Sequence, residues 1–212
     1  MTMFKQALSY DDVLLAPQYS DIESRSEVSL ESSLDNNNNF ELPIIASPMD
    51  TVVGTEMAIA LAQIGALGVV HRYNSILEQR RMVWAVSEAS CGKSIAAAIP
   101  ISGDFMERAE ALVETGVDIL CVDVAHGHHI MMKDALGTLR RNLPRDVHIM
   151  AGNVATRKGY EDLADWGANS VRIGIGGGSI CSTRIQTGHG IPTFQSVLDC
   201  GESEYAGDIP II

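Results

Sequence analysis

Three evenly spaced glycines constrain most strongly what this chain can fold into. The stretches "QIGALG", "ETGVDI" and "DWGANS" each close a helical pattern and open an apolar run. Their glycines, Gly65, Gly116 and Gly167, stand at equal intervals of 51 residues. At such a junction glycine serves as a left-handed helix C-cap, a conformation that a Cβ resists. Apolar runs at 43–47 (PIIAS), 67–71 (LGVVH), 95–99 (IAAAI), 119–125 (ILCVDVA), 147–153 (VHIMAGN) and 170–175 (SVRIGI) read as strands. They are nearly continuous, as strands covered on both faces are. Helical patterns fill the intervals at 55–64, 75–90, 104–115, 129–142 and 157–166. Each 51-residue interval therefore holds two strand–helix units, an internal repeat that implies a parallel sheet.

Two parallel architectures compete. An open doubly wound sheet announces itself by a GxGxxG turn between its first strand and helix. None is present: "GIGGGS" has no helical pattern straight after it, and "CGKS" at 91–94 lacks the earlier glycine of a phosphate loop. A (β/α)8 TIM barrel fits better, because its chemistry sits at the C-terminal strand ends. There lie Ser47 to Asp50, His71 and Arg72, Asp123 to His129, Asn153, and Gly174 to Cys181. The strand count is six plus the start of a seventh, "IPII" at 209–212, in 212 residues. A full barrel takes about 250 residues. The expectation is one catalytic domain over 1–212, a barrel incomplete at its C-terminus with two open sheet edges. "DNNNN" at 35–39 reads as an exposed surface turn.

Composition excludes some partners. A formal net charge of −12 argues against nucleic acid. It leaves small anions open, since backbone N–H groups bind phosphate without net charge. No apolar run reaches the roughly 18 residues of a membrane span. Residues 1–16, with Lys5, Asp11 and Asp12, lack the pattern of a secretion signal. The four cysteines, Cys91, Cys121, Cys181 and Cys200, form no CxxC pair and read as reduced thiols of a cytoplasmic protein.

Three stretches could carry chemistry. In "VRIGIGGGSICSTR" a strand runs into three glycines and then a thiol, which places Cys181 at the barrel mouth as a nucleophile. Cys91, Cys121 and Cys200 read as small buried hydrophobes. "DVAHGHH" holds three histidines, but their spacing does not suit a tetrahedral metal site. Its Asp123, ending a strand, is the better candidate for holding ligand hydroxyls. In "ASPMDTV", Ser47 and Asp50 end the first strand, and Met49 between them can cover a planar ring with its thioether.

"SICSTR" at 179–184 resembles the active-site loop of the inosine-5′-monophosphate (IMP) dehydrogenase and GMP reductase family. "LSYDDVLLAPQYS" at 8–20, "SPMDTV" at 47–52, "AGNVAT" at 151–156 and "VRIGIGGGSIC" at 171–181 resemble it in the same order. The resemblance implies a TIM barrel, tetrameric in the family, acting on a purine nucleotide monophosphate. It makes Cys181 the nucleophile that adds to C2 of the purine, with NAD as hydride acceptor, and Thr183 the residue that helps activate the hydrolytic water. It places Ser179 at the 5′-phosphate, Ser47 and Met49 at the ribose and base, and Asn153 and Arg172 in support of the substrate pocket. Asp123 and Gly174 fall on the cofactor side. The backbone carbonyls of Gly176, Gly178 and Cys181 would bind K+.

Departures from the pattern are specific. Gly177 stands where the family usually has proline, which predicts a looser loop. "HRYNSILEQ" runs on to "CGKSIAAAIP" with no room for a CBS regulatory module. The sequence stops before the family's Asp-Gly-Gly phosphate loop, its flap and its last strand, so a complementary C-terminal chain is an expected partner. Pro48, Arg72 and "TRIQTG" resemble the dehydrogenases; "VGTEMA" and the absent module resemble the reductases, which use NADPH. The dehydrogenase is the expected activity. A reductase, or a fragment inactive without its partner, is the alternative.

Overall fold

The computed structural model describes residues 6–212; Lys5, which entered the reading of the N-terminus, lies outside them. A short antiparallel ribbon, β1 (Ser32–Ser33) and β2 (Asn39–Phe40), precedes the sheet. The sheet strands are β3 (Ile45–Ala46), β4 (Leu67–Val70), β5 (Ala96–Ile99), β6 (Ile119–Asp123), β7 (His148–Val154) and β8 (Ser170–Ile173). All pair in parallel and in chain order, β3-β4-β5-β6-β7-β8. Helices α1 (Thr55–Gln63), α2 (Ile76–Ala89), α3 (Phe105–Glu114), α4 (Ile130–Asn142) and α5 (Arg157–Asp165) follow β3 to β7 in turn. Sequential parallel order with a helix after each strand is the winding of a TIM barrel. This is such a barrel through its sixth strand. The seventh begins as a single parallel bridge from Ile211 to Val171, with Ile212 N–H donating to Val171 O at 2.9 Å.

Alternation along the strands builds two cores. Leu67, Val69, Ala96, Ala98, Ile119, Cys121 and Met150 face one way and fill the barrel interior with Leu34, Phe40 and Ile212. Their neighbours Val70, Ala97, Leu120, Val122, Ile149, Ala151 and Val171 face outward, onto Val83, Leu112, Leu136, Leu139 and Leu163 of the helices. Hence the strands read as continuous apolar runs: every residue has an apolar neighbour on one face or the other. The repeating glycines act as read: Gly65, Gly116 and Gly167 have φ of 72°, 101° and 107°.

The predicted strands and helices match within about two residues, the usual scatter of element ends. Two expectations need correction. A helix does follow the glycine cluster: α6 (Ser182–Thr187) starts directly after Cys181, and α7 (Thr193–Gly201) follows. Both escape a periodicity reading, α6 because it is short and almost wholly exposed, α7 because its pattern opens straight after Pro192. The "DNNNN" segment is no free surface turn. Asn38 is buried, and Asp35 Oδ2 lies 2.6 Å from Nδ1 of the buried His148. His148 Nε2 lies 2.8 Å from Ser170 Oγ, so the hairpin is pinned beneath the strand starts. An apolar cleft of about 370 Å³ separates β3 from the 210–212 end, lined by Leu34, Phe40, Ile44, Ile45, Ile211 and Ile212.

Candidate active site

At the C-terminal strand ends, Asp123 on β6, Gly152 on β7 and Arg172 on β8 occupy one register row. Gly152 lets the arginine cross: a Cβ there would stand 2.6 Å from Arg172 Cβ. Arg172 Nη1 donates to Asp123 Oδ1 at 2.5 Å, and Nη2 to Ser47 Oγ at 3.4 Å. Arg72 approaches the same carboxylate, Nε to Oδ2 at 3.9 Å, and its guanidinium lies 4.9 Å over the Tyr73 ring. Two guanidinium groups around one carboxylate leave this row with net positive charge, in a chain whose total is −12. Such a mouth favours an anionic ligand.

Beneath the row, Cys121 Sγ accepts from Arg172 Nη1 at 3.6 Å. Burial pushes this thiol up to about 11, against the pull of Arg172. Cys200 is likewise pushed up to about 11 by burial. Neither is a nucleophile near neutral pH. Cys91, read as buried, is exposed.

Cys181 differs. β8 ends at Ile173, and the glycine loop then docks on the segment before α7: Ile191 N–H donates to Ile175 O at 3.0 Å. Gly176 touches that segment so closely that a Cβ would lie 2.6 Å from His189 O. Cys181 occupies the N-cap position of α6, and its thiol is lowered below the ordinary value. The Arg184 N–H is the largest cause, acting against desolvation, with the N–H groups of Thr183 and Gly176 and the Thr183 hydroxyl adding to it. A lowered thiol on a partly accessible loop is the form a cysteine nucleophile takes.

The remaining predicted residues fall as follows. Asn153 Nδ2 donates to Gly174 O at 3.0 Å and so braces the loop. Asp123 accepts from Arg172 through Oδ1, with Arg72 3.9 Å from Oδ2, and keeps acceptor capacity on its second oxygen. Met49 is half exposed at the mouth, and Ser179 is exposed on the loop. The three carbonyls assigned to K+ each already accept one hydrogen bond: Gly176 O from Arg184 at 3.5 Å, Gly178 O from Cys181 N–H at 3.1 Å, and Cys181 O from Ile185 N–H at 3.0 Å. Each retains a second lone pair, and at Gly176 the Arg184 guanidinium is a like charge that opposes a cation. Of the three histidines, His128 pairs with Asp162 at 2.7 Å and His129 caps α4, accepting from Met131 N–H. Sequence reasoning missed Arg72 as a partner of Asp123, Arg184 at the loop, and Gly152. Only Gly152 left a signal, a glycine inside a strand pattern marking close approach.

Fold and site together define a barrel protein of the α/β class with a lowered thiol on a glycine loop at the C-terminal strand ends. The chain belongs to the family described as "IMP dehydrogenase / GMP reductase domain", matched over residues 7–212. It is 28% identical over 331 aligned positions to the inosine-5′-monophosphate dehydrogenase of Nitrosopumilus maritimus (99% of this chain, 69% of the relative). It is 32% identical over 247 positions to that of Borreliella burgdorferi (94% and 61%), and 34% identical over 204 positions to GMP reductase 2 of Homo sapiens (93% and 58%). The chain thus spans between 58% and 69% of the length of these relatives. The 331 aligned positions exceed this chain's 212 residues by more than a hundred, so part of that dehydrogenase has no counterpart here. A GMP reductase of Leishmania major aligns over 339 positions in the same way. The absence of an inserted module therefore does not separate the two activities.

Proposed function

We propose that this chain carries the nucleotide-binding and nucleophilic part of an IMP dehydrogenase, which oxidises inosine monophosphate to xanthosine monophosphate. The observation that carries the reading is the place of Cys181, a partly exposed free thiol at the start of α6 on the glycine loop that follows β8. Hydride cannot leave a planar C2 until that carbon is tetrahedral, and addition of the Cys181 thiolate makes it so. Loss of the hydride leaves a thioimidate between Cys181 Sγ and C2. Water then adds at C2, the C–S bond breaks, the thiol is restored and the product carries the new oxygen. NAD, when bound, supplies the acceptor for the hydride.

The chain's own residues have the parts that remain. Thr183, two residues after Cys181 in the first turn of α6, orients water at the adduct. Ser179 is exposed on the loop for the 5′-phosphate, and Ser47 and Met49 sit at the end of β3 for ribose and base. Arg172 holds Asp123, and with Arg72 gives the mouth its positive charge. Asn153 fixes Gly174. The whole enzyme's turnover, its cytoplasmic setting, its K+ requirement and its self-association belong to the same proposal. So does completion of the barrel by further strands at the apolar cleft.

Pro48 and Arg72 favour the dehydrogenase. The second reading, an NADPH-dependent GMP reductase, is favoured by the 34% identity to human GMP reductase 2 over a nearly gap-free alignment. One assay separates them. The purified protein, alone and with the remaining barrel segment of a relative added, is given IMP with NAD or GMP with NADPH, and nicotinamide absorbance is followed. The dehydrogenase reading expects xanthosine monophosphate from the first pair only. Turnover of the second pair alone overturns it.

A further inference from the structure

We propose that Thr193, the first residue of α7, is a positioning residue for the Cys181 loop. The inference rests on the reading of Cys181 as nucleophile and adds the device that holds it. Glycine at 177 leaves a notch in the loop, and the Thr193 side chain fills it: a Cβ built on Gly177 would stand 2.2 Å from Thr193 Oγ1. The same side chain reaches the strand end, with Thr193 Cγ2 3.5 Å from a Cβ built on Gly174. One residue thus touches both ends of the bend that leads to Cys181. The loop that the sequence predicts to be loose at Gly177 is instead wedged from outside.

The wedge has its own support. Gln195, two residues further along α7, exchanges two hydrogen bonds with the N-terminal segment: Leu8 N–H to Gln195 Oε1 at 3.3 Å, and Gln195 N–H to Leu8 O at 3.2 Å. Gln195 Nε2 donates to Asp199 Oδ1 at 2.8 Å, which fixes which end of the amide faces Leu8. Tyr10 meets Phe194 edge to face, ring centroids 5.4 Å apart. Residues 193–195 therefore face the glycine loop through Thr193 and the N-terminal segment through Phe194 and Gln195. A shift of α7 would move Thr193 out of the notch, and the N–H groups that lower the Cys181 thiol would lose their fixed geometry.

The test reads Cys181 directly and needs neither substrate nor cofactor. The 212-residue protein is alkylated with iodoacetamide across a pH series, and labelling of the Cys181 peptide is quantified by mass spectrometry, with exposed Cys91 as the internal control. Thr193→Ala empties the notch; the Cys181 profile is expected to move toward that of an ordinary thiol, with labelling at neutral pH down by about threefold or more. Thr193→Ser keeps the hydroxyl in the notch and is expected to restore the wild-type profile. Gly177→Ala collides with Thr193 and is expected to cost about tenfold. Adding Thr193→Ala to it should recover most of that loss, because Thr193 Cβ lies 3.4 Å from the new Cβ. If Thr193→Ala leaves the profile unchanged, or if the losses of Gly177→Ala and Thr193→Ala simply multiply, Thr193 does not position the loop. Should Gly177→Ala fail to fold, the Thr193 variants decide the matter by themselves. Coupled profiles in a protein that turns over neither nucleotide even with the remaining barrel segment added would leave the wedge standing and sink the functional reading instead.

Discussion

Arg172 and Asp123 stand two strands apart in one register row, and the arginine reaches the carboxylate at 2.5 Å by crossing the bare backbone of Gly152. The pair is mostly shielded, with 13% and 19% of the side chains exposed. Removing the guanidinium leaves a carboxylate with only the 3.9 Å approach of Arg72. A desolvated charge that loses its partner costs more than an exposed one, and partial exposure reduces the full penalty. Arg172→Met is expected to lower unfolding free energy by about 2 kcal/mol in urea titration. It should also weaken binding of an anionic nucleotide by about tenfold in calorimetry. Unchanged affinity would remove Arg172 from the ligand site.

The crossing itself is open to a separate test. Gly152→Ala would put a methyl 2.6 Å from Arg172 Cβ and 2.8 Å from Arg172 O, contacts that a central strand cannot relieve by a rotamer change. Overpacking of this kind costs about 1–3 kcal/mol. A urea midpoint within error of wild type would show that β7 and β8 shift freely here.

The barrel was legible because its signal is repeated: six buried strands and glycine caps at a fixed interval agree with one another. Cys181 was legible because a thiol after a glycine strand end is rare. Interactions between side chains from distant elements were not. Nothing in "DNNNN" shows that Asp35 meets His148 113 residues later, because a polar run reads the same whether it faces water or a buried imidazole. Thr193 was invisible for a related reason. Its importance lies in the side chain that Gly177 lacks, a relationship between two positions that appears in neither stretch.

The Asp35–His148 contact carries a pH dependence. Burial lowers the His148 imidazole below its ordinary value, the Asp35 carboxylate opposes this, and Arg140 adds to the lowering. Burial pushes Asp35 up, but bonds from His148, Asn37 and Asn38 together outweigh it and leave it lowered. Both groups are harder to protonate folded than unfolded, so the unfolded chain takes up protons first as pH falls. Their contribution is full above the unfolded histidine value of 6.5 and is lost progressively as pH drops through the lowered folded value. The carboxylate loss follows below 3.8. The urea midpoint should fall between pH 7.5 and pH 5.5, and His148→Gln should flatten that slope. Equal slopes in the two proteins would assign the pH dependence elsewhere.

The K+ proposal meets Arg184 at the Gly176 carbonyl. The ion would share that oxygen with a guanidinium whose charge opposes it. Replacing Na+ by K+ is expected to raise turnover of the completed enzyme. Arg184→Gln, which removes the competing charge, should lower the half-activating K+ concentration by about threefold. Indifference of both proteins to the monovalent ion would leave the loop organised by Arg184 and no ion.

Cys181 is the residue on which the functional reading stands, and its replacement separates chemistry from binding. The thiol is lowered by N–H groups of α6, while Cys121 and Cys200 are pushed up to about 11 by burial. Of these three, Cys181 holds the largest thiolate fraction at neutral pH. Cys181→Ala removes the atom that makes C2 tetrahedral, so turnover should vanish. The alanine leaves the Arg172–Asp123 row and the end of β3 intact, so nucleotide affinity should stay within about tenfold of wild type. Acid quenching during turnover should trap a nucleotide adduct on the Cys181 peptide and on no other cysteine peptide. Turnover near the wild-type rate in Cys181→Ala, or an adduct on Cys91, would show that the glycine loop presents this thiol for some purpose other than attack on the purine.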